Sequence, residues 1–189
     1  RLSILGRFLD AVTSEDGRSL QVGDNDSGRV VCISPERYDD LRLVSRLVDR
    51  EIGSNVPDEA FFAEEELFYG ASGRAACIPS WHGGVRAFFD AGMALARYGG
   101  WSLGFFASDG FVGESEPGHT HNDKLSFTLG FKGVPFVVDS GSGVYTRDPK
   151  VRNILRGTAQ HSTLRFGDLE QNDFRGLFGY TRRGGASFV

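Results

Sequence analysis

The sequence predicts an α+β fold in which helices come first and antiparallel strands follow, so the chain holds parts of two domains and not a βαβ unit. Apolar residues recur at helical spacing up to about residue 70, and beyond it glycine, β-branched and aromatic residues become frequent. From about residue 88, short apolar runs are separated by glycine-containing turns, which is typical of hairpins. We therefore divide the chain into a helical part, a linker and a β part, at residues 1–70, 71–87 and 88–189.

Length and composition favour a packed globular core. The chain has 189 residues, of which 40% are apolar and 24% charged, and this balance argues against wholesale disorder. No apolar run approaches the roughly 20 residues of a membrane span. The chain does not begin with Met and stops within a pattern at Ser187–Val189, so we expect a piece of a longer protein. Cys32 and Cys77 form no CxxC pair, which favours buried thiols or one disulfide over chemistry.

Charge is unevenly distributed along the chain. Residues 1–146 carry 13 basic and 21 acidic side chains, whereas residues 147–189 carry eight basic and four acidic ones. The basic segment suits a polyanionic ligand, with ordinary surface charge as the alternative. Nucleic acid is not expected as a partner, because the net charge is −4 and no reading motif is present.

Three helices are predicted in the first part. The first has apolar residues at helical spacing, namely Leu2, Leu5, Phe8, Leu9 and Val12. The second is predicted from an N-cap with proline in the first turn at Ser34–Glu36, and runs to Gly53. Its apolar stripe consists of Leu41, Val44, Leu47 and Val48. A shorter third helix is predicted over residues 57–68.

Two hairpins are predicted in the second part. The first spans residues 91–107 and turns at Tyr98–Gly100, and the second turns near Phe131–Gly133. Before the second turn, apolar Phe127, Leu129 and Phe131 alternate with smaller or polar residues, as in a half-buried strand.

Four ionisable residues around the second hairpin could carry chemistry, namely His119, His121, Asp139 and His161. Imidazole and carboxylate groups are the usual nitrogen and oxygen ligands of a divalent metal such as zinc. Asp139 ends an apolar run, where a charge is costly unless it is paired or ligated. The alternative is a set of separate, hydrogen-bonded polar residues at strand ends.

A shared site places a condition on the loop before the strand. A three-residue turn would put Asp139 opposite Leu125, four residues from His121, and at about 3.3 Å per residue this is too far for one metal ion. Residues 118–123 must therefore fold back as a loop, with the strand beginning only near Lys124. Pro117 and Gly118 make such a loop plausible.

The motifs in this region resemble a known family. "GHTHNDKLSF" at residues 118–127, then "GVPFVVDSGSGVYTRDPKVRNILRGTAQHSTL" at 133–164 and Gln171, resemble the heparinase II/III-like polysaccharide lyases in order and spacing. "GDNDSGR" at residues 23–29 also resembles a loop near the end of that family's helical domain. The likeness is loose between residues 54 and 117.

The resemblance implies a fold and an activity. The fold would be the C-terminal helices of an incomplete (α/α) toroid followed by part of an antiparallel β-sandwich. The activity would be β-elimination on uronic-acid glycans, such as glycosaminoglycans or alginate, so the partner would be an acidic polysaccharide or oligosaccharide. A degradative lyase of this kind would be periplasmic or secreted.

The resemblance also implies roles for individual residues. His121, Asp139 and His161 would hold a zinc ion that braces the sandwich, and His119 would face the substrate as the catalytic residue. In the family the toroid supplies a Tyr acid and an Asn or His that neutralises the uronate. We find no match for these toroid residues in this chain.

Further residues have two interpretations each. Tyr145 could donate a proton or stack on a sugar, or it could pack within a strand. Arg152 and Arg156, at i and i+4, could bind substrate carboxylates if helical, or form surface or structural ion pairs. Asn122 and Asp123 could orient a ligand histidine or simply form a turn.

Two other functions remain open at the level of sequence. One is a non-catalytic glycan-binding or polysaccharide-assembly protein on the same fold, because a fold does not dictate a function. The other is a glycosidase using Glu114 and Glu116, although nothing places these carboxylates across a sugar.

Overall fold

The structure is a computed structural model, and it describes two compact units of the chain. The described residues are 1–14, 16–24, 40–52, 81, 83–107, 118–181 and 185–188. The first unit comprises Arg1–Leu20 and Asp26–His82, and the second comprises Gln21–Asn25 and Gly83–Val189. A short segment from the helical part of the sequence thus belongs to the second unit.

The described helices of the first unit are α1, Leu2–Val12, and α2, Arg42–Glu51. The apolar spacing predicted α1 correctly, but only its C-terminal half is buried, through Leu9, Ala11 and Val12. On α2 the buried residues are Leu43, Arg46 and Val48, whereas Val44 is exposed, so the predicted stripe was partly wrong. The other helical predictions, at Ser34–Glu36 and 57–68, lie outside the described residues.

No helix among the described residues is both long enough and apolar enough to cross a membrane.

The second unit contains a five-stranded antiparallel sheet with the order β1-β2-β3-β4-β5. Its strands are Gly84–Phe88, Met93–Tyr98, Trp101–Phe106, Phe127–Phe131 and Val134–Val137. The sheet thus begins at Gly84, inside the stretch predicted as a linker. In the pairing of β3 with β4, Trp101 lies opposite Phe131 and Leu103 opposite Leu129. These apolar residues share one face of the sheet, as the period-two alternation of β4 predicted.

Both predicted hairpins are present, with two-residue turns. Tyr98 pairs with Trp101, so Gly99 and Gly100 form the first turn. Phe131 pairs with Val134, so the second turn is Lys132–Gly133, one residue shorter than predicted. Both of its residues have positive φ, 48° and 76°, as the tight turns that suit strand twist require. The ladder also shifts register between Leu129 and Gly130.

The segment before β4 is a folded loop, as a shared site requires. Residues 118–126 contain no strand, and β4 begins at Phe127. Ser126 donates its backbone N–H to the Asp123 carbonyl at 3.0 Å, and Phe127 donates to the Ser162 carbonyl at 3.2 Å. The chain therefore reverses just after the two histidines and does not run straight into the strand.

A third described helix, α3, spans Pro149–Leu155. Asp148 caps it, because its side chain accepts from the backbone N–H groups of Lys150 and Val151 at 3.1 Å each, and Pro149 occupies the first turn. A 3-10 turn, Thr158–Gln160, leads to His161. A second, two-stranded sheet follows, formed by β6, Asp173–Arg175, and β7, Gly179–Thr181.

Candidate functional site

Three of the four predicted chemical residues form one cluster. One ligand atom from each of His121, Asp139 and His161 can be chosen so that all three lie within 4.8 Å of one another. His121 comes from the loop before β4, Asp139 follows β5, and His161 follows the 3-10 turn. Among the described residues this is the one group of histidine, cysteine and acidic side chains that meets this distance.

The hydrogen bonds of the two histidines suit metal ligation. His121 Nε2 lies 3.0 Å from Asp24 Oδ1, and His161 Nδ1 lies 2.6 Å from Asp139 Oδ2. The other ring nitrogens, His121 Nδ1 and His161 Nε2, are buried and have no hydrogen-bond partner in the described structure. A metal-ligating histidine usually places its second ring nitrogen on a carboxylate outside the ligand set, as His121 does on Asp24. The carboxylate beside His161 is instead Asp139, itself a member of the cluster. The donor set therefore fits a divalent ion such as zinc.

Asp139 and Asp123 add negative charge beside these rings. Asp139 Oδ1 also accepts from the Gly141 backbone N–H at 2.9 Å, which fixes the carboxylate next to His161. Asp123 is buried, and this burial together with the charge of Asp139 raises the pKa of its carboxyl to about 6, although His161 and His121 oppose the rise. Burial lowers the pKa of His161, but the hydrogen bond to Asp139 and the negative charges of Asp139, Asp123 and Glu170 together outweigh it, so the net shift of this pKa is upward.

Asp24 connects both histidines of the loop. Its Oδ1 lies 3.0 Å from His121 Nε2, and its Oδ2 lies 3.1 Å from His119 Nδ1. Arg152 donates to the same two oxygens at 2.7 and 2.6 Å. Burial alone would raise the pKa of Asp24, but the hydrogen bonds of His121 and Arg152 outweigh it and hold this pKa well below its usual value.

His119 and His121 differ sharply in exposure. The His119 side chain is 71% exposed, whereas that of His121 is 0% exposed. The His119 ring lies beside two other rings, with centroid distances of 6.1 Å to Tyr145 and 5.8 Å to Phe178. Tyr145 and Phe178 stack on each other at 6.0 Å, and the Tyr145 hydroxyl oxygen is buried. His119 is therefore the member of the pair that can meet a ligand.

Arg152 and Arg156 point inward, and their side-chain contacts favour the structural alternative that the sequence left open. Arg152 is 1% exposed and Arg156 0% exposed. Arg152 binds Asp24 and lies over the Tyr145 and Phe178 rings, at 4.9 and 4.5 Å. Arg156 donates to the Gly176 carbonyl at 2.5 Å and lies over the rings of Phe174 and Tyr180. The prediction that the two arginines bind substrate stays a prediction.

A second set of hydrogen bonds joins the loop before β4, residues 118–126 (the histidine loop), to residues 170–172. Asn122 is 0% exposed, and its Nδ2 donates to Glu170 Oε2 at 2.7 Å and to the Asn172 carbonyl at 2.9 Å. Lys124 donates its backbone N–H to the Gln171 side chain at 2.9 Å, and that side chain donates back to the Lys124 carbonyl at 3.0 Å. Asn122 thus holds the loop and, in the described structure, forms no hydrogen bond to a histidine ring.

Gly23 is required where the Asp24 segment meets the loop. The Asp24 backbone N–H donates to the His119 carbonyl at 2.9 Å. Gly23 has φ +58°, and a Cβ there would lie 2.5 Å from the same carbonyl oxygen. Residues with a Cβ atom rarely adopt this backbone conformation, and a Cβ at position 23 would also overlap the His119 carbonyl oxygen.

Gly23→Ala is therefore expected to destabilise the protein by more than the roughly 1–2 kcal/mol cost of the left-handed conformation, and to lower its metal content. Gly167→Ala is the matched control, because Gly167 has φ +57° with nothing within 4 Å of a Cβ. Chemical denaturation and metal analysis of both variants provide the measurement. Equal losses of stability, with unchanged metal content in both variants, would contradict the expectation.

The hydrogen bonds of Glu170 to Asn122 and Thr158 make the stability of this contact dependent on pH. Its Oε2 accepts from Asn122 Nδ2, from the Thr158 backbone N–H at 2.8 Å and from Thr158 Oγ1 at 2.9 Å. Burial raises the pKa of Glu170, but these hydrogen bonds outweigh it and lower the pKa below the usual 4.5. The stabilisation by the charged form is therefore present above about pH 4.5 and is lost as the pH falls through the lowered pKa.

Glu170→Gln is expected to lower the free energy of unfolding by about 1 kcal/mol at neutral pH, because hydrogen bonds to a charged acceptor are stronger than those to a neutral one. The difference from the wild type should shrink in acid, once Glu170 is protonated. Denaturation curves recorded at a series of pH values measure it. A difference that is the same at every pH would show that the charge of Glu170 does not contribute.

Sequence reasoning missed several residues that position the site. These are Asp24, Glu170, Asn172, Phe178 and Tyr180. The signal for Asp24 was present, since it lies in the "GDNDSGR" run that resembles a loop of the family, but no spacing rule connects it to residues 95 or more positions away. Tyr180 donates its hydroxyl to the Thr120 carbonyl, a contact that no local pattern indicates.

Comparison with known families agrees with the motifs. A family model described as Heparinase II/III-like, C-terminal, matches residues 82–187. The chain therefore belongs to the heparinase II/III-like family, as its histidine, aspartate and downstream motifs predicted. A search of the curated proteins finds no match to the chain.

Solved structures share the fold. A crystal structure of heparinase III has a TM-score of 0.59 at 18% identity, over 87% of this chain and 26% of that chain. A heparinase III with methylated lysines has a TM-score of 0.51 at 19% identity, over 82% and 22%. A heparan sulfate lyase mutant from Pedobacter heparinus has a TM-score of 0.49 at 24% identity, over 85% and 22%. The chain thus spans about a quarter of the length of the heparinase III structures, and its five-stranded antiparallel sheet is consistent with the β-sandwich part of their fold.

Proposed function

We propose that this chain is part of a polysaccharide lyase that cleaves uronic-acid-containing glycans by β-elimination. The observation that supports the proposal is the arrangement of the two loop histidines, because His121 is buried in a cluster suited to a metal ion and His119 faces outward beside it. Membership of the heparinase II/III-like family is consistent with this chemistry. The ligand would be an acidic polysaccharide or oligosaccharide.

The domain division predicted from the sequence is part of the proposal. Residues 1–70 would contribute the last helices of an (α/α) toroid, and the sequence assigned residues 71–87 to a linker and 88–189 to the start of the β-sandwich. Because β1 begins at Gly84, we propose that the linker ends before Gly84 and that the sandwich begins there. The described helices α1 and α2 suit the first assignment, and the antiparallel sheet suits the last. A Tyr acid and a uronate-neutralising Asn or His would come from toroid residues outside this chain.

His119 would act as the base. Its Nδ1 lies against Asp24, so in the neutral ring Nε2 carries the lone pair and can remove the C5 proton of a uronate. The C5–H electron pair then forms the C4–C5 double bond, and the C4–O bond breaks as the leaving oxygen takes a proton from an acid. Tyr145 would bind the sugar by stacking, since its ring lies 6.1 Å from that of His119, and its buried hydroxyl makes proton donation the less suitable role.

His121, Asp139 and His161 would hold zinc. Bound there, zinc would fix the histidine loop against the segments that follow β5 and the 3-10 turn, and it would add positive charge near the substrate carboxylate. The two arginines predicted as substrate ligands would act indirectly, Arg152 by holding Asp24 and Arg156 by packing against Phe174 and Tyr180 of the two-stranded sheet.

The proposal is tested on the full-length protein with a panel of uronate glycans that includes heparan sulfate and alginate. We expect a rise in ultraviolet absorbance as the unsaturated uronate forms, and about one zinc ion per site by metal analysis. His121→Ala and Asp139→Ala should each lose the metal. Asp168→Ala is the control, because this exposed carboxylate pairs only with Arg165 in the described structure.

The outcomes separate the alternatives. No absorbance rise on any uronate polymer, at several pH values, would exclude the lyase function. Glycan binding without cleavage would indicate the non-catalytic binding or assembly protein instead. Unchanged metal content in His121→Ala and Asp139→Ala would exclude the zinc assignment without deciding the activity.

A further inference from the structure

We propose that Asp24 is a positioning residue that fixes opposite tautomers in the two histidines of the loop. In His119 it would keep the proton on Nδ1 and leave Nε2 for the substrate, and in His121 it would keep the proton on Nε2 and leave Nδ1 for the metal. The roles of the two rings in base and metal chemistry rest on the proposed function. The tautomers are independent of that proposal, because they follow from hydrogen bonds within the second unit.

The geometry of one carboxylate supports the assignment. Each Asp24 oxygen receives one histidine nitrogen, with Oδ1 at 3.0 Å from His121 Nε2 and Oδ2 at 3.1 Å from His119 Nδ1. An ionised carboxylate only accepts hydrogen bonds. Both facing ring nitrogens must therefore carry hydrogen, and in a neutral imidazole the opposite nitrogen is then the acceptor.

The free nitrogens point to different surroundings. His121 Nδ1 is buried without a hydrogen-bond partner among the described residues, as a nitrogen reserved for a metal would be. The His119 side chain is 71% exposed, so its second nitrogen is open to a ligand. One carboxylate can thus leave Nδ1 of His121 free to bind a metal ion and Nε2 of His119 free to meet a ligand.

Arg152 keeps the Asp24 carboxylate ionised and fixes its orientation. Its two terminal nitrogens bind the two carboxylate oxygens at 2.7 and 2.6 Å, and its Nε donates to the Leu177 carbonyl at 2.9 Å. A bidentate pair of this kind fixes the plane of the carboxylate. Gly23 and the Asp24 backbone contact to the His119 carbonyl fix the main chain on the other side.

An asparagine at position 24 cannot replace the aspartate. One of its two terminal atoms would be an amide nitrogen, a donor facing donors on Arg152 and on one histidine. Asp24→Asn alone would also leave the buried guanidinium without its anion and could prevent folding. The informative variant is therefore Asp24→Asn combined with Arg152→Met, which removes both charges and keeps the approximate shape.

The experiment measures ring tautomers by ¹⁵N NMR in the full-length, metal-free protein labelled at histidine, at a pH where both rings are neutral. Signals are assigned with His119→Gln and His121→Gln. We expect His119 protonated at Nδ1 and His121 at Nε2 in the wild type, and loss of at least one of these tautomers in the double variant. Free histidine favours the Nε2–H form, so an Nδ1–H signal from His119 reports its contact with Asp24.

A second readout is zinc affinity, measured by competition with a chelator. We expect the double variant to bind zinc about 10- to 100-fold more weakly, with Asp168→Asn unchanged. His119 protonated at Nε2 in the wild type would overturn the proposal, as would a double variant that keeps both tautomers and wild-type zinc affinity. Because the NMR measurement needs neither substrate nor metal, a failed lyase assay leaves this test intact, and the two proposals fail separately.

Discussion

Replacing His119 with alanine in the full-length protein is expected to lower kcat/KM on a uronate glycan by about 10²- to 10⁴-fold, the usual contribution of a positioned base. Zinc content and unfolding temperature should stay close to those of the wild type, because the His119 side chain is largely exposed and lies outside the metal cluster. Steady-state kinetics, metal analysis and thermal unfolding of one preparation measure all three.

Phe166→Ala is the matched control for this change. It removes a ring of the same unit that is 77% exposed. The control should keep wild-type activity. If His119→Ala were as active as Phe166→Ala, His119 could not be the base, even if the protein proved to be a lyase.

Arg152→Met is expected to destabilise the protein by about 3–5 kcal/mol, because it leaves the Asp24 carboxylate buried without its cation. For a unit of this size the unfolding temperature would fall on the order of 10–20 °C. The alternative role, in which Arg152 binds a substrate carboxylate, predicts a higher KM with little loss of stability. Thermal unfolding and KM, measured together, therefore decide between the two interpretations.

The comparison variant is Arg165→Met. Arg165 also pairs with an aspartate, Asp168, at 3.0 Å, but this pair lies on the surface. Exposed pairs contribute little to stability, so the unfolding temperature should stay at the wild-type value. Similar effects of the two substitutions would mean that the burial of the Arg152–Asp24 pair has no energetic consequence.

Local patterns predicted much of the fold. The α1 spacing and the Gly99–Gly100 turn depend on neighbours in sequence, and the structure confirms both. The strand alternation through Phe127 and Phe131 correctly placed these side chains on one face of the sheet, but Phe127 is exposed and the buried residue of β4 is Gly130. The length of the second turn was wrong by one residue because Lys132, a non-glycine residue, adopts positive φ. The predicted buried face of α2 was partly wrong, because Val44 is exposed and Arg46 is buried, although Val48 is buried as predicted.

The candidate site was predictable only in part. The order of the motifs brought His121, Asp139 and His161 into one group, and the condition that residues 118–123 form a loop was correct. Asp24 and Glu170 could not be found in this way, since their roles arise from tertiary hydrogen bonds that no sequence period encodes. The inward direction of Arg152 has the same origin, because an i, i+4 spacing does not tell which face of a helix is buried.

The position of Asp24 in the chain has a consequence for synthesis. Asp24 leaves the ribosome 95 residues before His119 and 128 residues before Arg152. At about 5–20 residues per second, this separation corresponds to a wait on the order of ten seconds. The segment Gln21–Asn25 must therefore stay available while the β strands are made, and the site is completed late in translation. A shortened chain that began at Gly83 would lack the carboxylate that Arg152 binds, even though it would retain almost the whole region matched by the family.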